Sequence, residues 1–192
     1  MTRHGQDRMG GGVFAALQTV ADRIASAATW AAAACLAALL LLVLAEIVLG
    51  LLSRVTRVVP GSIGFAWEYS AYLMGAAFML GTGMTLRAGM HVRVELLLGW
   101  RGGRAARVCE IAAAAIGAAF ALVLAWAMLR FALQAFHYDQ RSSESFTPLW
   151  IPQAALAAGA IVLAMQMVAR FLAALIGAPL EDRSLGVATL PE

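Results

Sequence analysis

Apolar positions along this chain form four long runs, and the polar segments between them are short. The runs cover about residues 29–52, 65–86, 111–129 and 151–169. A helix needs roughly 20 apolar residues to cross about 30 Å of hydrocarbon, so each run is long enough to span. The runs lack the alternation of barrel strands, and helices are the other structure that satisfies backbone polar groups in lipid. The pattern therefore predicts an all-α membrane protein with four transmembrane helices.

The segment between the second and third runs, residues 87–107, is too basic to span a membrane and too long for a tight turn. Its apolar residues Val94, Leu97 and Leu98 recur at helical spacing among charged residues, and a Gly-Gly pair follows. This pattern predicts a short amphipathic helix that lies along the inner membrane surface.

Two flanking segments, residues 1–26 and 177–192, border the predicted membrane domain of residues 27–176. Residues 1–12 contain three consecutive glycines, and we expect a mobile tail there. The apolar residues of 13–26 recur at helical spacing, which fits either an amphipathic lead-in helix or an inward extension of the first span. The pattern leaves both alternatives open. We expect a polar tail after the fourth run.

All of the positive charge comes from arginine, with fourteen Arg, no Lys and a net charge of +3. If the N-terminus is cytoplasmic, ten arginines lie on the inner side of the membrane and four on the outer side. The outer four are Arg54, Arg57, Arg130 and Arg141. This bias predicts that both termini lie in the cytoplasm of a bacterium, with the chain in the inner membrane. Because the arginines flank apolar spans, we expect the lipid bilayer and no nucleic acid as a partner.

Ionisable groups near lipid are the first candidates for function, because their burial is costly. Glu46 lies about two turns before the outer end of the first run, and Glu68 opens the second run on the same side. Arg54 and Arg130 end the first and third runs there. The favoured interpretation is ion pairing at the outer interface, with Glu46 and Arg130 as candidates; the alternative is a proton or cation site at Glu46. Glu46 is about 12 Å along the helix from Arg54, nearer the headgroups than the midplane where coupling sites usually lie.

Other chemistry finds little support in the sequence. His91 and Glu95 are four residues apart and share a helix face, but two ligands are too few for a metal site. The three histidines lie outside the predicted spans, which disfavours haem binding within the bundle. No nucleophile elbow or phosphate loop is present in the sequence. We therefore expect no metal, no cofactor and no enzymatic activity.

Residues 67–98 read WEYSAYLMGAAFMLGTGMTLRAGMHVRVELLL. This stretch combines a Trp-Glu pair, a Gly-containing apolar helix, an R-x-G-x-H element and a following acidic residue. The residues concerned are Trp67, Glu68, Arg87, Gly89, His91 and Glu95. With Arg54 at the end of the first span, this order resembles the small permease subunit (DctQ type) of tripartite ATP-independent periplasmic (TRAP) transporters. The family often has a second acid where this chain has Tyr69, and more often Asp at the position of Glu95.

The resemblance implies a membrane scaffold for a large permease subunit, which carries the substrate and sodium. It also implies a periplasmic binding protein that delivers an organic acid such as a dicarboxylate. The matching residues would then serve structure and assembly. A bundle without a charge at the midplane and without an inverted repeat agrees with a helper role. Two alternatives remain open at this stage, an autonomous proton-coupled exporter that uses Glu46 or Glu68, and a membrane anchor for a redox enzyme.

Overall fold

The described residues form four α-helices and connecting segments. The computed structural model describes residues 4–56, 60–87 and 104–176, and it describes side chains from residue 19 onward except near the two internal gaps and the C-terminus. The helices are α1 (His4–Val55), α2 (Ala66–Arg87), α3 (Arg104–His137) and α4 (Trp150–Ile176). No strand occurs among these residues, so the prediction of an all-helical protein is confirmed.

Three of the four helices have segments long and apolar enough to cross a membrane, within the described part of the chain. These segments are Thr19–Val55, Arg107–His137 and Trp150–Ile176. Helix α2 has 22 residues and coincides with the second predicted run, but polar and aromatic residues in its first turns make it less apolar. The predicted surface helix and the C-terminal tail fall largely on residues 88–103 and 177–192, which lie outside the described residues.

The first helix is longer than a membrane span requires. Its 52 residues correspond to about 78 Å at a rise of 1.5 Å per residue. It continues unbroken from His4, so residues 13–26 belong to the same helix as the first predicted span. Residues 4–12, part of the segment for which we expected a mobile tail, belong to α1. Once a helix is nucleated, each further residue adds a hydrogen bond at little cost, so the helix extends through the glycines.

Helices α1 and α2 form one antiparallel hairpin, and α3 and α4 form the other. The two hairpins meet along α2 and α4, and α4 also contacts α1. Helix α4 is therefore the central element, with all three other helices packed against it. The short connection between α1 and α2 predicts their antiparallel pairing. The position of α4, in contrast, depends on which helix surfaces have complementary shapes.

The helix contacts are made mostly by small side chains. Ala121 and Ala125 of α3 pack against Ala160 and Ala164 of α4, and Ala25 and Ala28 of α1 pack against Val162. Lipid tails are as apolar as leucine, so helix association in membranes depends on close packing rather than on removing apolar surface from water. Small residues permit that close approach and leave the large apolar side chains facing outward.

The closest approach occurs at Gly159 of α4. A Cβ atom at this position would lie 2.5 Å from the backbone carbon of Met79 and 2.8 Å from the nitrogen of Leu80 in α2. A Cβ atom at Gly83 of α2 would likewise lie 2.7 Å from the Cγ1 atom of Val162, which belongs to a side chain of α4. Gly159 thus brings α4 into close contact with the backbone of α2, and Gly83 makes room for a side chain of α4.

Candidate functional site

The polar contacts of the bundle concentrate at the end where α1 and α3 end and α2 and α4 begin, which we call the outer end after the predicted topology. Glu46 of α1 reaches the segment before α2, and its Oε2 accepts a hydrogen bond from the backbone N–H of Ile63 at 3.0 Å. Beside it, Gly61 lies against Ser53, so that an added Cβ would be 3.2 Å from the Ser53 Oγ. The short connection between α1 and α2 is thus tied to the end of α1 by a charged side chain.

The first turn of α2 carries a second carboxylate. Glu68 accepts a hydrogen bond from the hydroxyl of Tyr72 one turn later, and Ser142 and Ser145 of the segment between α3 and α4 face the same carboxylate. A negative charge in the first turn is stabilised by the positive end of the helix dipole. Hydrogen bonds and the helix dipole therefore both stabilise the carboxylate of Glu68 at the start of α2.

The segment between α3 and α4 is an ordered loop built on its own hydrogen bonds. The N–H of Leu149 donates to the carbonyl of Gln140 at 2.9 Å, and the N–H of Ser142 donates to the carbonyl of Thr147 at 3.0 Å. The Ser145 hydroxyl donates to the Thr147 Oγ1 at 2.7 Å, and that oxygen lies 2.8 Å from the hydroxyl of Tyr69. These bonds attach the loop to the first turn of α2.

Two arginines on this side of the bundle have local partners. Arg141 pairs with Asp139 at 3.1 Å, an exposed ion pair that contributes little stability. The guanidinium carbon of Arg130 lies 5.1 Å from the centre of the Trp126 ring, at cation–π distance. Glu46 and Arg130, which we predicted as candidates for ion pairing, thus have separate partners, Ile63 and Trp126. Glu46 lies on α1 and Arg130 lies on α3.

This outer site holds hydrogen bonds and packing contacts, and it contains no group of three metal-binding side chains among the described residues. A family model described as "Tripartite ATP-independent periplasmic transporters, DctQ component" matches residues 46–177. The chain belongs to this family. Comparisons with curated proteins and with solved structures give no match. The resemblance stated from residues 67–98 is therefore confirmed, and this DctQ component is a part of a TRAP transporter.

The match includes the last part of α1, all of α2, α3 and α4, and both outer connections. Within it, Arg54 lies in the last turn of α1, where a positive charge is favourable at the negative end of the helix dipole. Trp67 lies at the start of α2 and is 83% exposed, as expected for an anchor at the membrane interface. Arg87 is the last residue of α2.

The remaining residues of the family-like motif are Gly89, His91 and Glu95, and they lie outside the described residues. The structure therefore brings Glu68 of this motif into contact with the loop between α3 and α4. It does not test Gly89, His91 and Glu95.

Sequence reasoning missed three features of this DctQ component. The first is the attachment of the 138–149 loop to Tyr69, for which the Ser/Thr-rich composition before Pro148 was the available signal. The second is Gln166, a buried residue of α4 whose Nε2 donates to the carbonyl of Ala21 in α1 at 3.0 Å. The third is the stacking of Arg130 on Trp126, which the i, i+4 spacing would have allowed us to predict.

Proposed function

We propose that this chain is the small membrane subunit of a TRAP-type secondary transporter and scaffolds the large permease subunit. The complex takes up an organic acid, such as a dicarboxylate, driven by sodium and delivered by a periplasmic binding protein. The observation that carries the proposal is the family match over residues 46–177. The family works with these two partners, and the sodium coupling and the substrate class follow from the resemblance alone.

The packing of the bundle supports a helper role. In the described part of the chain, the buried polar residues are Gln153 and Gln166, and both are uncharged. The charged side chains Glu46 and Glu68 lie at the outer end and have structural partners. A carrier needs polar groups that bind its solute near the midplane, and the alanine contacts at the core of this bundle offer none.

We further propose that all four helices cross the inner membrane and that both termini are cytoplasmic. Helix α2 has 22 residues, about 33 Å long, which is enough for the hydrocarbon layer. It runs antiparallel to α1 and contacts α4 as well, so it is part of the same bundle. In this arrangement residues 87–107 follow the inner surface and residues 177–192 form a cytoplasmic tail.

The assembly role of the motif is also a proposal. Arg54, Trp67 and Glu68 would stabilise the outer end, and Arg87, Gly89, His91 and Glu95 would hold the inner surface segment against anionic headgroups. We expect Arg87→Ala or His91→Ala to lower co-purification of the large subunit or substrate uptake. Wild-type assembly and uptake in both variants would contradict this role.

The test of the whole proposal is reconstitution in liposomes with an inward sodium gradient. We expect uptake of a dicarboxylate or a related organic acid only when this chain, the large subunit and the binding protein are present together. Transport by this chain alone would indicate an autonomous exporter. A haem or quinone absorbance in the purified complex would indicate a redox anchor.

A further inference from the structure

We draw no further inference here: the strongest candidate, the apolar groove of about 520 Å³ between α1, α3 and α4 beside Ala21, Ala125 and Ala164, carries none because nothing in the structure shows what covers it.

Discussion

The carboxylate of Glu46 and the backbone N–H of Ile63 form a hydrogen bond of 3.0 Å, which joins α1 to the segment that starts α2. The carbonyl of Ile63 in turn accepts from the N–H of Ala66, the first residue of α2. A charged side chain in the outer part of a membrane helix thus has a structural partner. This bond gives Glu46 a structural contact at the end of α1.

Replacement of Glu46 should therefore affect stability and leave the proposed sodium dependence of uptake unchanged. Glu46→Leu removes the acceptor and should lower the free energy of unfolding by about 1.5–3 kcal/mol, whereas Glu46→Gln keeps an oxygen and should lose about 1 kcal/mol. Unfolding by SDS in mixed micelles measures the first effect, and the sodium dependence of uptake in the complete transporter measures the second. Loss of sodium coupling in a fully assembled Glu46→Gln complex would show that Glu46 takes part in ion coupling in addition to its structural role.

Gly159 should be the least replaceable glycine among the described residues. Its Cβ would meet the backbone of Met79 at 2.5 Å, and a backbone in a packed helix cannot turn away as a side chain can. We expect Gly159→Ala to lower the free energy of unfolding by about 1–3 kcal/mol through overpacking. Gly64→Ala is the matched control, because nothing lies within 4 Å of the added Cβ there. Equal melting temperatures for the two variants would contradict this packing.

The buried hydrogen bond between Gln166 and the carbonyl of Ala21 should contribute modestly to the contact of α4 with α1. We expect Gln166→Leu to lower the free energy of unfolding by about 0.6–1.7 kcal/mol, the range for hydrogen bonds between membrane helices. Gln134→Leu, at an exposed position of α3, serves as the control and should leave the isolated subunit unchanged. SDS titration of the two variants side by side measures the difference.

Phe146 adopts a left-handed backbone conformation with φ of 55° and is 72% exposed. A side chain with a Cβ is strained there, and glycine is not. We expect Phe146→Gly to raise the free energy of unfolding by up to about 1 kcal/mol, whereas Phe146→Ala keeps the strain and should change it little. A melting temperature that falls more in the glycine variant than in the alanine variant would contradict the assigned backbone conformation.

The bond between the hydroxyls of Tyr69 and Thr147 should hold the 138–149 loop against α2. A double-mutant cycle with Tyr69→Phe and Thr147→Val isolates this contact, and we expect a coupling of about 0.5–1 kcal/mol. Limited proteolysis from the outer side provides a second measurement, since release of the loop exposes its backbone to cleavage. Additive effects of the two substitutions would mean that the hydroxyls do not interact.

Particular residues show how far the sequence was informative about the site. The position of Trp67 and Glu68 at the outer end of the second helix followed from the apolar runs, and their placement at the start of α2 agrees with it. The hydrogen-bond partners at this site, in contrast, could not be predicted from the sequence. Nothing in the local sequence of Glu46 indicates Ile63, which is 17 residues away, because the contact depends on how the chain turns between α1 and α2. The same holds for Tyr69 and Thr147, which are 78 residues apart.

The sequence by itself determined that this is an all-helical protein with long apolar segments, about where those segments lie and which family the chain resembles. Lipid requires every backbone polar group to be bonded within its own segment, so composition and run length are enough to locate helices. Only the tertiary structure decided that α4 is central, that Gly159 lies against the backbone of α2 and that Arg130 lies exposed on Trp126. In an environment where apolar surface gives no direction to packing, the matching of small residues between distant helices selects the arrangement, and that matching is a property of three-dimensional shape.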